Sequence, residues 1–327
     1  MNKAGSTAVQ SAFRDYADPR TRYLKLVRAN HTPALISIFC EPERRDAWFR
    51  GVGDRFERAS LAQLEEEVTR DRRDLIVSGE GFPQYLNRAE IGAMTTYLAG
   101  HFDRLSGLVY VREPKSYMRS LLQQRVKSGR TGLDMAELLP RYRRRFRRWD
   151  RGLGAARISY VHFGRDSLAG GDVRRDFADR LGLHWDGDEA DEVNPSLSLE
   201  AFAVLYRYRQ FQDASGDVRH GRRDTPHWMF QFGSRRFELD EALMAPALAS
   251  AEDDIAWVEG RMGRSFAPSR PADGVATIAT EDDIAAVAAD ALPAFRDWVA
   301  SFPRLSRPRA QLAEIAAAIG QSVSRST

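Results

Sequence analysis

The sequence predicts an α/β fold, a parallel sheet flanked by helices and followed by a mainly helical C-terminal part. Three observations carry that prediction. Short apolar runs at Leu75–Ser78, Gly107–Val111 and Arg157–Phe163 are bounded by charge or glycine, as buried strands are. Stretches of ten or more residues with helical character separate them, an alternation that belongs to parallel sheets covered on both faces. Beyond Leu197 the pattern turns helical, at Leu199–Phe211, Ser250–Met262 and Glu281–Val299, with an alanine-rich closing helix from Arg307.

Taken in order, a Gly-Ser-Thr turn at Gly5–Thr7 opens a helix from Ala8 to Tyr16, and Tyr23–Val27 reads as a short strand. Asn30–Phe39 reads as a loop, and a charged amphipathic helix spans Arg44–Arg70 with a break near Gly51–Gly53. The strand at Leu75–Ser78 runs into Gly-Glu-Gly, a loop signal. Arg88–Phe102 is helical, and Pro114 suits the first turn of a helix that ends at Lys127. Further helices are expected at Asp134–Arg151 and at Asp172–Leu181, the latter stopped by Gly182. A Pro/Gly-rich stretch at Pro268–Gly274 is too slight to mark a separate domain. The expectation is one domain over residues 1–327, with an α/β core at 1–185 and a helical extension at 186–327.

Composition narrows the function classes. The chain has 327 residues, 43% of them apolar, which is ordinary for a globular protein. Its 49 basic and 46 acidic residues leave a net charge of +3, too little to make nucleic-acid or membrane-surface binding the default. A single cysteine, Cys40, excludes an internal disulfide framework and a multi-cysteine zinc site. His101, His162, His184, His220 and His227 lack ligand spacing, so no metal is expected. No apolar run approaches the ~18 residues of a membrane span. The opening MNKAGSTAVQSAF has no signal-peptide core, so the expected location is the cytoplasm. Only four lysines stand against 45 arginines, and a lysine that persists under such a bias is informative, because an ammonium is a compact point charge that a guanidinium does not imitate.

One of those lysines opens the first candidate site. Lys3-Ala4-Gly5-Ser6-Thr7 supplies an ammonium, a glycine for a sharp turn and two hydroxyls at a helix start, where backbone amides point outward unpaired. The order differs from the Gly-Lys-Ser/Thr of nucleoside-triphosphate loops, and a Ser or Thr before a helix is ordinarily a plain N-cap. The second candidate, Arg112-Glu113-Pro114-Lys115-Ser116-Tyr117-Met118-Arg119-Ser120, follows a strand directly and sets Ser120 eight positions after Arg112. Ligands of parallel α/β sheets gather beyond the carboxyl ends of strands, where Arg112 offers a fork for a phosphate.

With both motifs in hand the sequence resembles the P-loop sulfotransferases that use 3′-phosphoadenosine 5′-phosphosulfate, in their bacterial carbohydrate-type branch. The phosphosulfate loop of that family is matched by KAGST, and its Arg and Ser spaced by eight are matched by Arg112 and Ser120. Further similar segments are ANHTPAL, IVSGEGF, QQRVKSG, VNPSLSLEA and IAWVEGRMG, so the resemblance covers most of the chain. It implies a P-loop NTPase-like sheet, with the phosphosulfate compound as co-substrate and no metal. It implies that Lys3 serves the 5′-phosphate and the bridging oxygen of the breaking S–O bond, that Gly5, Ser6 and Thr7 hold the 5′-phosphate, and that Arg112 and Ser120 read the 3′-phosphate. Charge builds on the leaving oxygen, and fixed donors stabilise it.

The acceptor hydroxyl of a carbohydrate or glycolipid must lose a proton to a positioned base. Glu80, after the Leu75–Ser78 strand, matches the family's glutamate base, and His31 in the Asn-His-Thr loop is its rival. One departure stands out: the family's loop follows a buried strand, whereas Met1 lies two residues before Lys3. The first strand is therefore expected to be missing, either because the gene product begins upstream or because the chain is a truncated, inactive member.

Other readings remain open. A P-loop nucleotide or small-molecule kinase would use the same cradle. Arg141–Arg151 holds seven arginines in eleven positions with interleaved aromatics, as a polyanion-binding module would. The plainer reading of that run is a solvated helix face with Tyr142, Phe146 and Trp149 packed inward.

Overall fold

The computed structural model describes residues 1, 3–48, 54–187, 196–215, 227–267, 274–303 and 306–324. In chain order the elements are α1 (Ser6–Phe13), β1 (Thr21–Tyr23), α2 (Thr32–Phe39), α3 (Pro42–Trp48), α4 (Asp54–Thr69), β2 (Asp74–Ile76), α5 (Phe82–Tyr85), α6 (Arg88–Ala99) and β3 (Gly107–Val111). Then come α7 (Pro114–Lys127), α8 (Tyr142–Trp149), β4 (Ile158–His162), α9 (Val173–Leu181), α10 (Leu199–Ser215), β5 (Phe237–Leu239), α11 (Glu241–Ser250), α12 (Glu252–Met262), β6 (Ala276–Ile278), α13 (Glu281–Ser301) and α14 (Arg307–Ser324). The fold is mixed α/β, and the three strand pairs among the described residues are parallel. None of the described helices is long and apolar enough to cross a membrane.

The chain divides into two compact units. The first comprises Met1–Glu113, Arg141–Asn194 and Asp253–Phe266, and the second Pro114–Pro140, Pro195–Glu252 and Ala267–Thr327. In the first unit β1 pairs with β2 and β3 with β4, each as a parallel two-stranded sheet. Among the described residues the strands thus pair two by two and do not join into one continuous sheet, and no strand precedes α1.

Apolar side chains from both strand pairs and the flanking helices fill the first unit. Val9 and Phe13 of α1 pack with Tyr23, Tyr110, Val161, Val173 and Phe177. Leu35 and Ile36 of α2 pack with Leu64, Val68, Ile91 and Met94 from α4 and α6. Tyr142 and Phe146 of α8 pack with Val111, Ile158, Tyr160 and Val258. In the second unit α10, α13 and α14 enclose a separate core around Phe202, Leu205, Phe295, Leu312 and Ile319, beside the β5–β6 pair.

Four local expectations are corrected. Asn30–Phe39 is not a loop throughout: Thr32–Phe39 is helical, with proline in its first turn and five buried residues, so burial decides a segment whose composition is strand-like. The short strand is Thr21–Tyr23, not Tyr23–Val27, because its partner β2 runs only from Asp74 to Ile76. Asp134–Arg151 is not one helix. A 3₁₀ turn at Ala136–Leu138 precedes Pro140, Arg141 takes a left-handed φ of 51°, and only then does α8 begin. Strands β5 and β6 are additional. The expected break at Gly51–Gly53, most of the Pro268–Gly274 stretch, Val193–Pro195 and His220 lie outside the described residues.

Candidate active site

The first turn of α1 is shaped by two left-handed residues. Lys3 has φ 64° and Gly5 φ 74°, with buried Ala4 between them. Only glycine suits the second position, because a Cβ there would stand 2.7 Å from Phe163 Cε2 and 2.8 Å from Val173 Cγ1. Gly5 is also the N-cap of α1, so no side chain caps that end, and the first turn carries no acid. Its leading amides are left to point outward.

Three separate segments meet at this turn. Arg112, the residue after β3, donates from Nη1 to the Lys3 carbonyl at 2.8 Å, while the Met1 nitrogen donates to the Tyr110 carbonyl at 3.0 Å. Arg112 also lies over the Phe163 ring, 5.9 Å from its centroid. Tyr142 of α8 donates its hydroxyl to the Arg112 carbonyl. From the third segment, Glu80 Oε2 accepts a hydrogen bond from Ser6 Oγ at 2.5 Å. Burial holds the Lys3 ammonium below its ordinary pKa, the Glu80 charge pulls it back up, and Arg112 adds to the lowering. The Tyr85 phenol is raised by burial and then by the Glu80 charge.

The backbone that carries Glu80 is tied down on both sides. The Ser78 N–H donates to His31 Nδ1 at 3.0 Å, and the His31 N–H donates to the Ser78 carbonyl at 2.9 Å. On the other side, the Gly81 N–H donates to Thr32 Oγ1 at 3.0 Å. Gln10, one turn into α1, reaches Ser78 Oγ at 3.3 Å. The Asn-His-Thr and Ser-Gly-Glu-Gly segments therefore form one assembly that carries the half-buried Glu80 side chain.

Of the residues expected at the site, Lys3, Gly5, Ser6, Glu80 and Arg112 are brought together, and Thr7 follows Ser6 in the first turn of α1. His31 is fully buried and its Nδ1 is engaged by Ser78, so it positions the Glu80 loop and offers no accessible base. Burial takes its pKa down to about 4. Ser120 is half-buried on α7, which belongs to the second unit.

Two groups were not anticipated. Tyr85 stands within the field of Glu80. At the end of β4, His162 Nδ1 lies 2.8 Å from Ser167 Oγ, which also accepts from Arg264 Nη1 at 3.0 Å. The strand-end rule that selects Arg112 also selects His162, the last residue of β4 and the register partner of Val111.

On α8, Tyr142 and Phe146 are buried while Arg143, Arg144 and Arg147 are exposed, as are the flanking Arg141 and Arg151, which is the plain amphipathic arrangement. Its N-terminus is capped by Asp254, whose carboxylate accepts from the N–H groups of Tyr142 and Arg143, both at 2.7 Å. Among the described residues no group of three or more His, Cys, Asp or Glu side chains is arranged to hold a metal ion. A shallow concavity lined by Pro19, Arg20, Arg72, Arg73 and Asp74 sits at the opposite ends of β1 and β2 and takes no part in this geometry.

The arrangement suits binding of an anion: an uncapped helix start, a hydroxyl, an ammonium and a guanidinium converge, with a carboxylate beside them. Comparison with protein-family models, with curated proteins and with solved structures gives no significant match to this chain.

Proposed function

We propose that the chain transfers a sulfuryl group from 3′-phosphoadenosine 5′-phosphosulfate to a hydroxyl of a carbohydrate or glycolipid. The observation that carries this reading is the meeting of Lys3, Ser6, Glu80 and Arg112, residues from three separate stretches of sequence, at the uncapped start of α1. The acceptor oxygen attacks sulfur, the bond from sulfur to the 5′-phosphate oxygen breaks, and Glu80 takes the acceptor proton. Lys3 neutralises the charge that builds on the departing phosphate oxygen, a task for which a compact ammonium in a partly desolvated place is well suited. Gly5, Ser6 and Thr7 hold the 5′-phosphate, and Arg112 reads the 3′-phosphate. Glu80 is preferred to His31 as the base because the histidine is fully buried with Nδ1 occupied.

Calorimetric titration with adenosine 3′,5′-bisphosphate tests the reading. One molecule should bind per chain, with the same affinity with or without magnesium. Arg112→Ala should weaken binding by about tenfold, the order expected for a charge-assisted contact. Lys3→Ala should chiefly cut turnover. Absence of bisphosphate binding would sink the proposal, and transfer that depends on magnesium would favour a kinase. Steeply salt-dependent polyanion binding in its place would favour the exposed arginines of α8.

A further inference from the structure

Ser6 has one hydroxyl proton, and it is already committed: Ser6 Oγ donates it to Glu80 Oε2, 2.5 Å away. The carboxylate so bound stands at the start of α1, where Gly5 contributes no cap and the first turn has no acid of its own. It is also the charge that supports the Lys3 ammonium against burial. Hydroxyl, helix start and ammonium are the groups a phosphate would use; in this structure the hydroxyl is bonded to Glu80 and the ammonium lies in the field of its charge.

We propose that Glu80 is an internal ligand of this turn: it holds the place of the donor's 5′-phosphate until the donor displaces it, and displacement delivers its carboxylate to the acceptor. The identity of the donor rests on the sulfuryl-transfer reading; the occupancy of the turn does not. A phosphate and a carboxylate cannot share one hydroxyl proton, and two anions at hydrogen-bond range of one another repel. The arriving phosphate replaces the carboxylate as acceptor of the Ser6 hydroxyl, and the Glu80 side chain turns away.

The surrounding structure confines that movement to the side chain. Ser78 is fastened to His31 through two hydrogen bonds and Gly81 to Thr32 through one, so the backbone at Glu80 is held. Neighbouring groups close in on both flanking glycines: a Cβ at Gly79 would stand 2.2 Å from Phe82 Cζ, and one at Gly81 2.4 Å from Thr32 Cγ2. Rotation about the Glu80 side-chain bonds is the freedom that remains. Binding is therefore ordered. Acceptor arriving first meets a base that is engaged with Ser6, and the base becomes free only once the donor is seated.

The test is a calorimetric comparison of the full chain with its Glu80→Gln and Glu80→Ala variants, using two probes, adenosine 3′,5′-bisphosphate and inorganic phosphate. Removing the competing charge should tighten both probes by about tenfold, since a charged hydrogen bond no longer has to be surrendered. A residue that merely shapes the loop would not produce a gain. Unchanged or weaker affinity for both probes in both variants overturns the internal ligand and leaves bisphosphate binding, hence the functional reading, intact. Tighter phosphate binding with no bisphosphate binding by any variant supports the internal ligand and overturns the donor assignment. No binding of either probe by any of the three proteins overturns both. If the variants fail to fold, a crystal structure of the unaltered chain with the bisphosphate decides. A Ser6–Glu80 bond still made beside bound ligand overturns the proposal, and a broken one with Ser6 on the phosphate supports it.

Discussion

Ser78 and His31 are joined by a reciprocal pair of hydrogen bonds: the Ser78 N–H donates to His31 Nδ1 at 3.0 Å, and the His31 N–H donates to the Ser78 carbonyl at 2.9 Å. For Nδ1 to accept, the ring must be neutral with its proton on Nε2. The histidine therefore belongs to the scaffold of the site, and its titration is a matter of stability.

Burial sets the His31 pKa at about 4 in the folded chain, against an ordinary value of 6.5. Between those values the unfolded chain binds the proton and the folded chain does not. The contribution of His31 is therefore present in full above pH 6.5 and lost as pH falls toward 4, by about 3 kcal/mol in all. Urea unfolding at a series of pH values should show this loss in the unaltered chain. His31→Asn, whose side-chain oxygen can still accept from Ser78, should lack that part of it. Parallel profiles for the two proteins across this range would refute the assignment.

A second prediction concerns the ion pair between β1 and α4. Arg22 is 4% exposed, and its Nη1 lies 2.5 Å from Glu67 Oε2, which also accepts from the Lys25 N–H at 3.2 Å. Asp71 gives the same guanidinium a second contact at 3.3 Å. Glu67→Gln leaves a buried cation short of one charge and should cost about 3 kcal/mol. Replacing both partners with methionine should cost less than Glu67→Gln alone, because no uncompensated charge remains inside. Denaturant midpoints of the three proteins measure the order directly.

Elements with explicit punctuation were legible in the sequence. Gly107–Val111 and Pro114–Lys127 have the expected bounds, because a glycine opens the strand and a proline opens the helix. Helix α9 starts after its Asp172 cap, whose side chain accepts from the Arg174 N–H, and stops at left-handed Gly182. Segment Thr32–Phe39 was not legible, because Thr-Pro-Ala-Leu-Ile-Ser-Ile-Phe has the composition of a buried strand and becomes helical through packing on α4 and α6. Strands β5 and β6 have three residues each, too few to display a period, and their pairing joins positions far apart in the chain. The same limit applies to the site. Ser6 and Glu80 were each visible beside a turn or a strand, but the hydrogen bond between residues 74 positions apart exists only in three dimensions.

The last prediction concerns Gly5, where stability and ligand binding depend on one atom's worth of space. At φ 74° any side chain is strained, and a Cβ would press on Phe163 Cε2 from 2.7 Å. Phe163 in turn lies under the Arg112 guanidinium that holds the Lys3 carbonyl, so displacing the ring disturbs the contact that fixes the turn. Gly5→Ala should therefore destabilise the chain by about 1–3 kcal/mol and weaken binding of adenosine 3′,5′-bisphosphate together with it. Gly92, inside α6, is the matched control. A Cβ there meets nothing within 4 Å, so Gly92→Ala should stabilise the helix by about 0.5–1 kcal/mol and leave the affinity unchanged. Thermal unfolding and calorimetry on the two variants separate the effects, and a Gly5→Ala protein as stable as the unaltered chain would show that the turn is not held as described.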